Sequence, residues 1–472
     1  MRPDRWNVVV ICLDTLRADL VLHQTPDRVE TPALDALARE SLVCTQAYGE
    51  GEPTIPARRA LFTGRRSFPW RYQFDTRGCW PNPPGWHKIP PEQTTLAEHL
   101  LSHGYKTALI SDTYHLFKPT MNFTRGFVTY EFVRGQESDN WRGGRLRPEE
   151  IAPFVKGPVD PAQHAVLIQY LLNNRHRRSE EDWTSARVFR EAMAWLTENA
   201  DDRPFFLWID CFDPHEPWDP PRQYARRYLP DYQGKDLIFP NLFPYDEAEA
   251  AWIKALYFGE VTFVDRWVGR LLEHLADLRL LEETVLVLLS DHGTELLDHG
   301  RFCKSAPHLY AHNTQVVWFL RYPPRGAGTV EAFVQHHDLV PTLLDLLDLP
   351  ALPVDGQSLV PVLDGRAAGR EYVIVGWGSY ASVRDRTWNY IVNYEQPDQD
   401  ERLYHLPSDP AEQVNVAARF PEVVRQQRQR LAALLGQPLP ATLPDRGAPG
   451  IAPIRLYLGS RPRPEEAAAG FV

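Results

Sequence analysis

The chain has 472 residues, 43% of them hydrophobic, enough to bury a large core in one big α/β domain with an appendage or in two or three smaller units. Its 51 basic residues against 62 acidic ones give a net charge of -11, which argues against a general nucleic-acid binder and confines any basic site to a local cluster. Apolar runs such as 8–13 and 285–289 are strand-sized, far below the ~20 residues of a membrane span.

The amino-terminal apolar stretch has no small-residue cleavage site after it. Cys12, Cys44, Cys79, Cys211 and Cys303 show no paired spacing. Both features lead to the expectation of a cytoplasmic protein with reduced thiols and no membrane anchor.

Residues 8–13 form a continuous, β-branched apolar run, the pattern of a strand buried on both faces of a parallel sheet, and Asp14 stands at its carboxyl end. Thr31-Pro32 reads as an N-cap with proline at the first helical position, opening a helix to about residue 43. A helix at 96–101 ends at Gly104, and 106–110 resumes as strand. Apolar residues recur at helical spacing over 183–200. A second buried strand at 204–209 then delivers Asp210, Asp213 and His215 to a loop. A long helix over 246–278 precedes a third buried strand, 284–289, which delivers Asp291 and His292. Three strands ending in candidate ligands predict one shared crevice at the carboxyl edge of an open α/β sheet.

The expected fold is α/β, a large mostly parallel sheet flanked by helices on both faces, with a small carboxyl-terminal antiparallel sheet plus helix. The boundaries are a catalytic domain over 1–365, a small α+β subdomain over 366–436 and a Pro/Gly-rich tail over 437–472. Short strands at 372–375, 381–384 and 388–392 and a helix over 421–435 make up the subdomain. The tail is expected to wrap the surface or stay disordered. Insertions at 79–91 and 134–147 are the segments that would shape a substrate pocket.

The chemistry gathers at Asp14, at Thr54 and Arg58 opening a helix, and at Asp291-His292. Carboxylate oxygens suit a hard divalent cation, and an added imidazole moves the preference from Mg²⁺ or Ca²⁺ toward Mn²⁺ or Zn²⁺. A helix N-terminus at Thr54 aims N–H groups at the same place, which suits a tetrahedral oxyanion. Each residue also has a plain structural reading. Thr54 serves equally as an N-cap, Arg58 as a partner for carboxylates, Lys304 as a solvated lysine and His215 as a hydrogen-bonded loop histidine.

The run Thr54-Ile55-Pro56-Ala57-Arg58-Arg59-Ala60-Leu61-Phe62-Thr63-Gly64-Arg65 resembles the sulfatase signature C/S-x-P-x-R-x-x-L-x-T-G-R at every position but the first. Ser290-Asp291-His292-Gly293-Thr294-Glu295-Leu296-Leu297-Asp298-His299-Gly300 with Lys304 is similar to a second sulfatase block, and Pro214-His215-Glu216-Pro217 to a third. Downstream, His337 to Asp345, Asp355 to Leu359 and Leu403 to Asn415 resemble further family segments. The resemblance covers residues 7 to about 435 and places the chain in the sulfatase branch of the alkaline phosphatase superfamily.

Residue by residue, it implies that Asp14, Asp291 and His292 bind a divalent metal, joined by Thr54. Arg58, Lys304 and His215 would contact the anion or the leaving group, with His115 as a further site histidine. Asp298 and His299 would brace the loop. Two positions depart from the pattern. Many sulfatases carry paired aspartates after the first strand, where this chain has Asp14-Thr15. Thr54 replaces the Cys or Ser that becomes formylglycine, and oxidising a threonine's secondary alcohol gives only a ketone, so no formylglycine is expected.

A threonine hydroxyl needs activation by a metal or an adjacent base. The resulting expectation is a metal-dependent hydrolase of a small anionic sulfate or phosphate ester, with Thr54 attacking. Two alternatives stand beside it. One is an inactive member that binds an anionic ligand. The other is a phosphodiesterase or phosphonate monoester hydrolase with a second metal drawn from Asp210, Asp213, His215 and His308 or His312. No nucleic-acid or membrane partner is expected, and homo-oligomerisation is left open.

Overall fold

A computed structural model describes residues 5–73, 83–118, 121–160, 163–240 and 244–447. Among these, eight strands form one sheet: β1 (Asn7–Leu13), β2 (Leu42–Cys44), β3 (Lys106–Ser111), β4 (Thr129–Phe132), β5 (Phe205–Cys211), β6 (Thr284–Ser290), β7 (Trp318–Arg321) and β8 (Gly328–Val330). Their order is β8-β2-β7-β6-β1-β5-β3-β4, and β7 alone runs against the rest. The expected large, mostly parallel sheet is therefore present.

β1 lies at the centre because both its faces are apolar. Val8 pairs with Phe206 of β5 on one side and Val285 of β6 on the other. Val9, Ile11 and Leu13 pack with α4 (Thr184–Asn199) and α5 (Glu247–Asp277). Val8, Val10 and Cys12 face α2 (Thr54–Thr63), α3 (Leu96–Ser102) and α6 (Leu339–Leu346) across the sheet. The 31-residue α5 starts from a capping box in which Asp246 accepts the N–H of Glu249 at 2.9 Å and Glu249 accepts that of Asp246 at 2.8 Å.

Two expectations about element ends are corrected. α1 (Pro32–Arg39) stops short of residue 43, and 42–44 turn into β2, because β7 and β8 offer this stretch backbone partners on both sides. The strand expected over 204–209 runs on to Cys211, so Asp210 stands within β5 and not on the loop beyond it.

The carboxyl-terminal sheet has four antiparallel strands, β9 (Tyr372–Trp377), β10 (Tyr380–Asp385), β11 (Trp388–Asn393) and β12 (Glu401–His405), covered by α7 (Pro421–Leu435). β12 went unseen as a strand because its residues stood out as a family motif. From residue 437 the chain lies along the surface: Ala441 donates to the Tyr394 carbonyl at 2.8 Å and Asp445 to that of Trp70 at 3.0 Å. Residues 448–472 of the expected tail and 79–82 of the expected insertion, Cys79 among them, lie outside the described residues.

β9 also reaches into the main domain. Gly376 donates to the Glu50 carbonyl at 3.0 Å and accepts from the Glu52 N–H at 2.9 Å. Its missing side chain makes room for Phe68, since a Cβ on Gly376 would stand 2.2 Å from the ring.

Candidate active site

β5, β1 and β6 lie side by side, so Asp210, Asp14 and Asp291-His292 arrive together at one edge of the sheet. All four are fully buried. Asp14, Asp291 and His292 each offer a ligand atom, and these atoms lie within 4.8 Å of one another.

Orientation within this trio fits a cation. His292 Nδ1 donates to the Gly293 carbonyl at 2.9 Å, which leaves the Nε2 lone pair directed at the carboxylates, 3.4 Å from Asp291 Oδ2 and 3.6 Å from Asp14 Oδ1. That Nε2 and Asp14 Oδ2 are buried without a hydrogen bond. Asp291 Oδ1 accepts the N–H groups of Thr15 at 3.0 Å and His292 at 2.8 Å. Two carboxylates and a neutral imidazole whose Nε2 has no partner are the donor set a divalent ion requires.

Charge is shared unevenly within the trio. Burial and the nearby Asp291 push the Asp14 carboxyl well above its ordinary range. For Asp291 burial acts the same way, but His292 and Arg58 outweigh it and hold that carboxyl below its usual range. Burial holds His292 down to about 4, so the imidazole is neutral at pH 7 and free to ligate.

Arg58 is the local counter-charge. From the first turn of α2 its Nη1 reaches Asp291 Oδ2 at 2.5 Å and Asp14 Oδ2 at 3.0 Å, while its Nε and Nη2 fork onto Asp210 at 3.0 and 2.9 Å. Thr54, 2% exposed, opens the same helix with a φ of 26°, a left-handed conformation that a β-branched residue adopts only under strain. The N-cap is Pro53, so Thr54 is the first helical residue and not the cap weighed from the sequence.

A second group faces this centre. Lys304 Nζ lies 3.1 Å from Glu216, whose charge, with that of Asp14, outweighs burial and keeps the ammonium protonated. His215 Nδ1 donates to the Glu216 carbonyl at 2.5 Å, and burial holds the ring down to about 4, leaving a neutral imidazole with Nε2 as acceptor. Burial and the charges of Lys118, Arg58 and Lys304 hold the His115 ring well below its ordinary range.

Sequence reasoning missed Lys118, whose Nζ lies 2.8 Å from His115 Nδ1 and whose pKa burial lowers to about 8. It also missed Glu216 as the lysine's partner. The available signals were the three-residue spacing of His115 and Lys118, and acidic residues inside motifs matched for their neighbours.

Of the residues considered for a second metal, Asp210, Asp213 and His308 are engaged elsewhere. Asp210 is saturated by Arg58, by Thr113 Oγ1 at 2.6 Å and by Trp208 Nε1 at 3.1 Å. Asp213 accepts from Gln136 at 2.6 Å. His308 pairs with Glu295 at 2.9 Å, and His312 lies 3.9 Å from the same carboxylate. Asp298 binds Arg17 at 2.7 Å, and His299 stacks on Tyr310 at 3.7 Å, so both brace the loop. Among the described residues the structure assembles one group of candidate metal ligands and not two.

The fold is a mostly parallel α/β sheet with one candidate metal-ligand group at the carboxyl edge of its central strands. The sulfatase family model matches residues 6–349, and the chain belongs to the sulfatase family. It is 26% identical to an arylsulfatase of Clostridium perfringens over 462 residues, covering 88% of this chain and 90% of that protein. It is 25% identical to a choline-sulfatase of Rhizobium meliloti over 455 residues, covering 88% and 83%. The solved phosphonate monoester hydrolase of Agrobacterium radiobacter superposes with a TM-score of 0.71 at 21% identity, covering 92% of this chain and 96% of that one.

Proposed function

We propose that the protein is a cation-dependent hydrolase of small anionic sulfate or phosphoryl esters in which Thr54 is the attacking group. The observation that carries this reading is the buried Asp14, Asp291 and His292 trio, its ligand atoms within 4.8 Å of one another, at the sheet edge where Thr54 and Arg58 open α2. A divalent cation held there would neutralise the carboxylates and lower the pKa of a neighbouring hydroxyl.

The chain's own groups supply the rest. Thr54 Oγ forms a bond to sulfur or phosphorus as the bond to the alcohol oxygen breaks. Its proton passes to the acceptor nitrogen of His215 and from there to the departing alkoxide. Water then cleaves the threonyl ester, returning a proton to Thr54. Lys304 and Arg58 stabilise charge on the transferred group, and His115 with Lys118 flanks it.

A second reading, hydrolysis of phosphonate monoesters or phosphodiesters, is favoured by Thr54 itself, because the formylglycine of sulfatases cannot form from it. Buried thiols at Cys12, Cys44, Cys211 and Cys303 accord with a reducing compartment. No described helix is long and apolar enough to cross a membrane.

Parallel turnover assays on an aryl sulfate, a phosphate monoester, a phosphodiester and a phosphonate monoester, with metal analysis of the same preparation, test both readings. Turnover of the sulfate supports the first, and turnover confined to phosphoryl substrates the second. Metal binding without turnover of any of them would leave the protein a binder of anionic ligands.

A further inference from the structure

Among the described residues, the buried arginines are Arg17, Arg58, Arg59, Arg321 and Arg384. All but one meet a carboxylate: Arg17 lies 2.6 Å from Asp19, Arg58 2.9 Å from Asp210, Arg321 3.0 Å from Glu40 and Arg384 2.9 Å from Glu412. Arg59, 4% exposed, makes no ion pair among the described residues.

The partners it does have are neutral acceptors. Its Nη1 donates to the Gly85 carbonyl at 2.9 Å and to His87 Nε2, its Nη2 reaches the Ser67 carbonyl at 3.4 Å, and its Nε makes no hydrogen bond among the described residues. His87 Nδ1 donates to the Lys88 carbonyl at 2.7 Å, which leaves Nε2 as the acceptor. The carboxylates whose charge reaches Arg59 are already committed. Glu50 accepts the N–H groups of Ser67 at 2.8 Å and Phe68 at 2.9 Å, and Asp445 those of Gly85 and Gly447, each at 2.8 Å. Burial accordingly lowers the Arg59 pKa to about 10. A buried charge is costly unless an opposite charge meets it.

Arg59 lines a cavity of about 440 Å³ to which none of the candidate active-site residues contributes. Arg58 and Arg59 are consecutive on α2 and leave it about 100° apart, so one enters the corner of Asp14 and Asp291 and the other the cavity. Arg66 lines the same cavity, its Nη1 buried without a hydrogen bond and 3.9 Å from Glu50 Oε1, and Arg71 adds a third guanidinium. Against them stand Glu92 and Asp355, and Asp355 Oδ2 already accepts the Arg66 N–H at 2.9 Å. The balance of charge in the cavity is therefore positive. A guanidinium fork matches the paired oxygens of a carboxylate, sulfate or phosphate.

We propose that this cavity is a second anion site, in which Arg59 and Arg66 hold one oxyanion group apart from the centre at Thr54. Its occupant is a free inorganic anion or a second anionic group on the ester. The site does not depend on the reaction proposed for Thr54.

The test is calorimetric titration of sodium sulfate, at constant ionic strength, into the full chain as wild type, Arg59→Gln, Arg66→Gln and Arg227→Gln, with circular dichroism melts to confirm folding. Wild type is expected to show a sulfate site that Arg59→Gln and Arg66→Gln each weaken at least about tenfold. Arg227→Gln removes a charge that meets Glu30 outside the cavity and should bind as wild type does. Arg59→Lys, which keeps the charge and loses the fork, replaces the glutamine variant if that one does not fold, with the same loss expected. Absence of sulfate binding by wild type overturns the proposal, as does equal binding by wild type and the Arg59 and Arg66 variants. A loss as large in Arg227→Gln also overturns it, because net charge alone would then account for the effect. An aryl sulfate bearing a ring carboxylate separates the two sources. A KM raised in Arg59→Gln at unchanged kcat identifies the ester's own second group, and an unchanged KM beside weakened sulfate binding identifies a free anion. Absence of turnover would count against the reading at Thr54 and leave the calorimetric result to decide this site.

Discussion

The Arg58 guanidinium grips the Asp210 carboxylate with its Nε 3.0 Å from both oxygens, and the same side chain extends Nη1 to Asp291 at 2.5 Å. One buried guanidinium therefore ties β5 to the corner formed by Asp14 and Asp291. Removing one partner of a buried ion pair leaves an uncompensated charge. Arg58→Ala is expected to destabilise the fold by roughly 3–5 kcal/mol, measured by urea denaturation. A variant as stable as wild type would show that Arg58 serves the ligand alone.

Asp291 is expected to be indispensable for cation binding. Asp291→Ala should lose Mn²⁺ binding in calorimetry together with all turnover, while Asp298→Asn, at the loop brace, should keep Mn²⁺ binding. Full activity in Asp291→Ala would remove the basis of the proposed function.

Thr54 separates chemistry from folding. Thr54→Ala should lower kcat by more than about a thousandfold while the protein stays folded. Its thermal midpoint should hold or rise, because alanine relieves a β-branched side chain at a φ of 26°. Thr54→Ser should retain turnover. Activity in the alanine variant would mean that another group attacks.

Buried histidines set an acid limit. Burial holds His215, His292 and His336 each down to about 4 from an ordinary 6.5. Between these values the unfolded chain binds protons that the folded chain does not. Stability is thus complete above pH 6.5 and falls as pH drops through about 4, by up to about 3 kcal/mol for each ring. His336 donates from Nε2 to the Ser290 carbonyl at 3.2 Å and leaves Nδ1 buried without a partner. Urea midpoints of metal-free His336→Gln at pH 7 and pH 4.5 should differ by less than those of wild type; an equal drop would exclude this ring as a source.

Glu216 is expected to hold Lys304 in place. Burial raises its carboxyl pKa, but His215 and Lys304 outweigh it and bring the value down to about 2 from 4.5. Its contribution is present above about pH 4.5 and is lost as pH falls through 2. The stability gap between wild type and Glu216→Gln should therefore shrink over that interval in denaturation series.

Central strands and ligand residues were legible because their signals are local: a β-branched run ending in an acid, repeated three times, implies a shared crevice. Asp14, Asp291 and His292 came together as that pattern implied. What stayed hidden depends on distant segments. Asp210 looked like a loop ligand because the end of its strand is set by pairing with β1 and β3. His308 looked available because Glu295, which engages it, gives no sign of doing so in the chain.

Composition changes after residue 365, yet the backbone of Gly376 bonds both Glu50 and Glu52 on the strap that carries Thr54. A fragment ending at residue 365 would keep Asp14, Asp291, His292 and Arg58 but lose the clamp that fixes the entry to α2. Modular shuffling is therefore constrained: exchanging the small sheet for one from another family member would also change the anchorage of Thr54, so the terminal piece is not free to vary on its own.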